Sequence, residues 1–243
     1  MLPEPASADV PMIPSLVLLR HGEVGSHQGD VPLTRTGRDQ AERAGRRLAQ
    51  LAADRVWIFA GPTLRAQQTG LMVLHGLTSA NPASKAAGPT VTPALRNPDL
   101  YLAGHRVDMV STAAAFAAQL SGATEEQVTR ISFYANFLTS ADRIGYWLHD
   151  DNPPGDTVAA VATRVHRFAA SLGDTGRVDL AIGITQSPVL RALAAHYLGE
   201  DPGEPDYLDG YCVGIKSDGS LAPRALDWTR LDPRGPTVPS ERD

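Results

Sequence analysis

Arginine and histidine stand side by side at Arg20-His21-Gly22, directly after the apolar run Leu16-Val17-Leu18-Leu19. An arginine fork binds the oxygens of an anion, and a neutral imidazole beside it supplies a nucleophilic nitrogen. The pair suits an anion that must also be attacked. The run before it is unbroken by polar residues, as expected of a parallel strand buried on both faces. Open α/β sheets bind ligands at the carboxyl ends of their strands, so this strand delivers both groups to a binding edge. Gly22 is expected to let a substrate approach the backbone closely.

Two further segments continue the constellation. Asp30-Val31-Pro32-Leu33-Thr34-Arg35-Thr36-Gly37-Arg38-Asp39-Gln40-Ala41 leads into a helix, in which Ala41, Ala44, Leu48 and Leu51 recur at helical spacing. Thr36 and Asp39 form a capping-box-like pair that predicts its start. A second strand, Val56-Trp57-Ile58-Phe59-Ala60, is followed by Gly61-Pro62-Thr63-Leu64-Arg65-Ala66-Gln67-Gln68-Thr69. Pro62 suits the start of a helix, which puts Arg65 in a first turn, near the positive end of the dipole.

In this order and spacing the segments resemble the histidine phosphatase superfamily, the group that includes the cofactor-dependent phosphoglycerate mutases and many acid phosphatases. The motifs cover roughly residues 15–75, and element order extends the likeness over 155–227. The resemblance implies an α/β fold of three layers, α/β/α, with a mostly parallel, phosphoglycerate mutase-like sheet. It implies His21 as the nucleophile that becomes phosphohistidine, and Arg20 and Arg65 as phosphate ligands. Of the neighbours, Glu23 is expected to order the arginines. Gly22, Ser26 and Ser187 are expected to support the site, with His27 contacting substrate in the loop after the nucleophile.

Two positions depart from the family pattern. Its fourth strand ends in a second histidine, and here Ile184-Thr185-Gln186-Ser187-Pro188 puts Gln186 in that place. As a phosphate ligand Gln186 can still donate a hydrogen bond to a phosphoryl oxygen, but it brings no positive charge. A hydrogen bond to a charged group is worth about 1.5–3 kcal/mol, so losing part of it slows transfer by roughly ten- to a hundredfold. The mutase-like branch also carries a glutamate shortly after the third strand. Here that spacing falls on Asn97, which cannot protonate a leaving alkoxide. Asp99 is the nearest candidate for the acid. Asp156 is already explained as a helix cap.

Composition bounds the alternatives. The 243 residues carry a formal charge of −5, which gives no reason to expect a nucleic-acid surface. Cys212, the single cysteine, excludes an internal disulfide and a cysteine-based zinc site. No apolar run reaches membrane-spanning length, and the first fourteen residues lack a signal-peptide pattern. A cytoplasmic location is the expectation. The chemistry implied needs neither cofactor nor metal.

The remaining elements alternate. A third strand is expected at Thr90–Leu95, a helix after Asp156 from Thr157 to Leu172, and a buried strand at Val178–Thr185. Ser187 is expected as N-cap before Pro188. A closing hairpin, Tyr211–Ile215 and Leu221–Asp227, turns at Ser217-Asp218-Gly219. Residues 97–152 interrupt the alternation with helices at Val107–Leu120 and Glu125–Leu138 and read as a helical lid. One domain, 1–243, is expected, with loose termini at 1–14 and 231–243. The lid's Tyr101, Phe133, Tyr134, Phe137, Tyr146 and Trp147 point to a substrate with an apolar or aromatic portion. The reading is therefore a phosphatase acting on the phosphate monoester of a small metabolite, with homodimerisation left open. The alternative is a member that binds a phosphorylated or anionic ligand without hydrolysis, or that performs elimination or rearrangement in the same pocket.

Overall fold

The computed structural model describes residues 16–26, 29–174, 176–216 and 220–231. His27, the turn at 217–219 and both termini expected to be loose (1–14, and 231–243 from residue 232 on) lie outside the described residues. The first half runs β1 (Leu16–Arg20), α1 (Arg35–Leu48), β2 (Arg55–Ala60), α2 (Leu64–Ala80) and β3 (Lys85–Val91). Then come a short hairpin, β4 (Leu100–Leu102) and β5 (His105–Val107), and four short helices: α3 (Ala113–Ala117), α4 (Glu125–Thr129), α5 (Ser132–Thr139) and α6 (Arg143–Leu148). The chain returns through α7 (Val158–Ser171), β6 (Leu180–Thr185), α8 (Ser187–Tyr197), β7 (Gly210–Ile215) and β8 (Leu221–Ala225).

Six strands form one sheet in the order β3-β2-β6-β1-β7-β8. β3, β2, β6 and β1 are mutually parallel, and β7 and β8 are antiparallel at one edge. All five residues of β1 and all six of β6 are buried, which accounts for their unbroken apolar sequences. Successive side chains alternate between faces. Leu16 and Leu18 join a core with α7, α8 and the 97–152 segment, whereas Val17 and Leu19 join a second core with α1 and α2. The mixed α/β, mainly parallel architecture expected from the sequence is the one observed.

Several local expectations need correction. β3 ends at Val91, and Pro93–Leu95, expected as strand, is a 3-10 turn. α1 is capped by Thr34, whose side chain accepts from Gly37 N, and not by Thr36. α7 is capped by Thr157, which accepts from Ala160 N, and not by Asp156. Gln186, one residue earlier than expected, is the N-cap position of α8. The stretch expected as a helix from Val107 begins as β5, and the 125–138 stretch breaks into α4 and α5.

Candidate active site

Strand order decides which loops meet. β6 lies between β2 and β1, and Arg20 pairs with Thr185 while Ala60 pairs with Ile184. Three parallel strands thus end level with one another. The segments that follow bring His21 after β1, Arg65 after β2 and Gln186-Ser187 after β6 to one opening. It is a cavity of about 460 Å³ bounded by Arg20, His21, Arg65, Asn97, Gln186 and Ser187 on the sheet side. That volume suits a small metabolite. Opposite lie Met109, Val110, Asp142, Arg143 and Ile144 from the 97–152 segment.

His21 is 2% exposed, and its Nδ1 lies 2.7 Å from the Gly22 carbonyl oxygen. A carbonyl only accepts, so Nδ1 carries a proton, and in the neutral form of the ring the lone pair is the one on Nε2. The His21 backbone N–H donates to Thr185 O (3.1 Å), which ties the imidazole's strand end to β6. Arg20, 7% exposed, lies under Tyr207, its guanidinium carbon 4.4 Å from the ring centroid. Its Nη1 donates to the Pro205 carbonyl, and its Nη2 lies 2.8 Å from Glu204 Oε1. Among the described residues, Arg20 Nε is a buried donor with no hydrogen-bond partner. A buried polar group left in that state is costly unless something supplies an acceptor.

Arg65 sits in the first turn of α2, as the position of Pro62 predicted. Asp30 accepts from Leu64 N (2.8 Å) at the same helix start, and its carboxylate lies 3.9 Å from Arg65 Nη1. Burial pulls the Arg65 guanidinium below the usual arginine value. Arg65 Nε donates to Gln186 Oε1 (3.0 Å), and Gln186 Nε2 donates to Thr63 Oγ1 (2.7 Å). Because Arg65 can only donate, the amide orientation is fixed, and one Nε2 proton remains for another acceptor. Gln186 is therefore a ligand to Arg65 as well as a neighbour of the cavity.

Other predicted residues fall elsewhere. Asp99 does not line the cavity: it is held by Arg96 (2.6 Å) and Arg106, with its backbone N–H on Asp156. Burial would raise its pKa, but the two arginines outweigh that and hold its carboxyl below the usual range. The acid role expected of Asp99 is set aside, because a carboxylate locked in this way keeps no proton to give. Glu23 does not order the arginines. It accepts from Thr34 Oγ1 (2.7 Å) at the cap of α1. A Cβ on Gly22 would lie 2.6 Å from Gly37 O, so this glycine admits helix α1 and not a substrate. Ser26 is exposed and outside the cavity lining, whereas Ser187 lines it and donates to Glu204 Oε2.

The lid aromatics also need correction. Tyr134, Phe137 and Trp147 are buried, and Phe133, Tyr134, Phe137 and Tyr146 stack among themselves. None lines the cavity, whose apolar wall is Met109, Val110, Ile144 and Pro188.

Three residues of the cavity carried no sequence signal. Glu204 comes from an irregular loop. Asp142 and Arg191 are distant in the chain, yet Asp142 Oδ1 accepts from Arg191 Nη1 (2.8 Å) and Asp201 Oδ1 from Arg191 Nε (2.8 Å). Arg191 is 1% exposed; burial alone would lower its pKa, but the two carboxylates raise it. In turn Arg191 pulls Asp142 down to about 2.

Comparison with known proteins gives the same picture from outside. Residues 16–86 match the family model of the histidine phosphatase superfamily (branch 1). No curated protein matches the sequence. Among solved structures, a putative alpha-ribazole-5'-P phosphatase from Escherichia coli superposes with a TM-score of 0.52 at 19% identity, covering 87% of this chain and 95% of that one. A mycobacterial glucosyl-3-phosphoglycerate phosphatase gives 0.54 at 18% identity, covering 88% and 97%. A phosphoserine phosphatase from Entamoeba histolytica gives 0.53 at 13% identity, covering 89% and 98%. At these identities the structures establish a shared fold. Together with the family model they bear out the resemblance read from the motifs.

Proposed function

We propose, from the match of residues 16–86 to the family model of the histidine phosphatase superfamily, that the chain is a phosphatase acting on a small phosphorylated metabolite through His21. The observation that carries this reading is the His21 ring, its Nδ1 bound to Gly22 O, in a cavity it shares with Arg20 and Arg65. Nε2 attacks phosphorus while the two guanidinium groups neutralise the phosphoryl oxygens as charge spreads over them. Arg20 Nε, buried without an acceptor among the described residues, is suited to one of those oxygens. Gln186 holds Arg65 and offers its remaining amide proton. Water then hydrolyses the phosphohistidine. The 97–152 segment acts as a lid belonging to the same domain, and its aliphatic wall takes the remainder of the substrate. Among the described residues no helix is long and apolar enough to cross a membrane, and a cytoplasmic setting completes the reading.

The test is turnover of p-nitrophenyl phosphate across pH 4–8 by the parent, His21→Ala and Gln186→His proteins. The expected result is loss in the first variant and a rise of roughly tenfold in the second, from a regained charged hydrogen bond. Phosphate binding without turnover in any of the three proteins favours the second reading, a ligand-binding member. That reading draws on the amides at Gln186 and Asn97, where the family pattern implied by the motifs has a histidine and a glutamate.

A further inference from the structure

We infer that the substrate of this site carries an activated leaving group: an acyl, enol or aryl phosphate, or a phosphoanhydride, in preference to an alkyl phosphate. The inference rests on the phosphoryl-transfer reading above and narrows its substrate class. What carries it is the state of the polar groups around the cavity. Asn97, on the sheet side, is an amide, and among the described residues its Oδ1 is buried with no hydrogen-bond partner. Gln186 is also an amide and is committed to Arg65 and Thr63. The two carboxylates in the lining are both held by donors. Glu204 meets Arg20 through Oε1 and Ser187 through Oε2. Asp142 meets Arg191 through both oxygens and Gly145 N through Oδ1. Beside the nucleophile His21, arginines and the hydroxyls of Ser111 and Ser187 complete the polar lining. Arginines do not release protons, and a serine hydroxyl is as weak an acid as the alkyl alcohol that would leave. Among the described lining residues, then, the groups that bind oxyanions are abundant, and none is placed to hand a proton to a departing oxygen.

Such a site favours a leaving group that departs as a stable anion. In the first step an N–P bond forms from the Nε2 lone pair of His21 as the bond between phosphorus and the leaving oxygen breaks. The electron pair leaves on that oxygen with no proton transferred. In the second step a water oxygen bonds to phosphorus and the N–P bond breaks, returning its pair to Nε2. Both water protons end on dihydrogen phosphate, which ionises with the solution. An alkoxide is too basic to leave in this way, whereas a carboxylate, enolate, phenolate or phosphate ion is not. The orphaned Asn97 Oδ1 can accept a hydrogen bond from a donor on the substrate but cannot protonate it.

The experiment is a rate series with the intact protein: acetyl phosphate, 2,4-dinitrophenyl, 4-nitrophenyl and phenyl phosphate, and glycerol phosphate, each with parent and Asn97→Glu. The parent is expected to lose roughly 10²–10⁴-fold in kcat/KM from the most to the least acidic leaving group, the rate a general acid otherwise supplies. Asn97→Glu is expected to raise the ratio of glycerol phosphate to dinitrophenyl phosphate turnover at least tenfold. Turnover by the parent that is level across the series overturns the inference and leaves the phosphatase reading standing. Failure to turn over any member, with no phosphate trapped on His21 after acid quench from labelled acetyl phosphate, overturns both. If the variant misfolds, the parent series alone still decides.

Discussion

Two arginine clusters meet in one cavity and are built on opposite principles. Arg20 and Arg65, at the ends of β1 and the start of α2, are only partly neutralised. Arg20 has one ion pair with a half-exposed glutamate and a buried Nε lacking any partner among the described residues. Arg65 faces an amide and a carboxylate 3.9 Å away. In the same lining, Arg191 is gripped by both Asp142 and Asp201 and ties α6 of the 97–152 segment to α8. The same side chain thus keeps donors to spare in one place and is a rivet in the other. The number of carboxylates already on it makes the difference, since each one uses up donors and charge that a substrate would need.

Substitution should separate the two roles. Arg65→Ala is expected to lower kcat by about 10²–10³, the effect of losing one preorganised donor to developing charge, with little change in melting temperature. A variant whose kcat stays within threefold of the parent dissolves the contrast. Arg191→Leu should do the reverse. Removing the buried partner of two carboxylates costs about 3 kcal/mol, toward the low end because Asp142 is 56% exposed and keeps some solvation. For a chain of this size that is a fall of roughly 6–12 °C in Tm, readable by calorimetry.

Glu204→Gln sharpens the comparison further. Its carboxylate competes with a phosphoryl oxyanion for Arg20, but the pair is half exposed and worth about 0.5–1 kcal/mol. Inorganic phosphate should therefore inhibit the variant two- to fivefold more strongly; weaker inhibition would make Glu204 a positioning residue for Arg20 and not a competitor. The smallest effect is in acid. Arg191 lowers Asp142 from 3.8 to about 2, so the stabilisation is fully present above pH 4 and is lost as the pH falls through 2. Denaturation midpoints of the parent and Asp142→Asn should converge over that interval, whereas midpoints that stay parallel would remove the carboxylate from the account.

Much of this site was legible in the chain because it lies on short, contiguous signals. A buried strand ending in Arg20-His21, and Pro62 starting a helix that carries Arg65, need only local rules of strand burial and helix entry. Gln186 and Asn97 stood out for the same reason, as mismatches inside recognisable segments. Caps slipped by a residue or so because Thr34, Thr36, Asp156 and Thr157 compete for neighbouring positions and the turn geometry chooses among them. Asp99 misled because proximity in sequence to the cavity says nothing about which arginines fold back onto it. The aromatic residues of 97–152 misled because a small helical cluster must fill its own core before it can offer anything to a ligand.

From the linear chain alone came the candidate nucleophile, the cation beside it, the parallel sheet and the resemblance in motifs, all of which depend on neighbours within a few residues. The packed molecule alone decided that β6 inserts between β1 and β2, that Gln186 serves Arg65, that Glu204 caps Arg20, and that Arg191 is spent on structure. Those outcomes depend on residues tens to more than a hundred positions apart, whose meeting is set by strand order and burial, and no local preference encodes either.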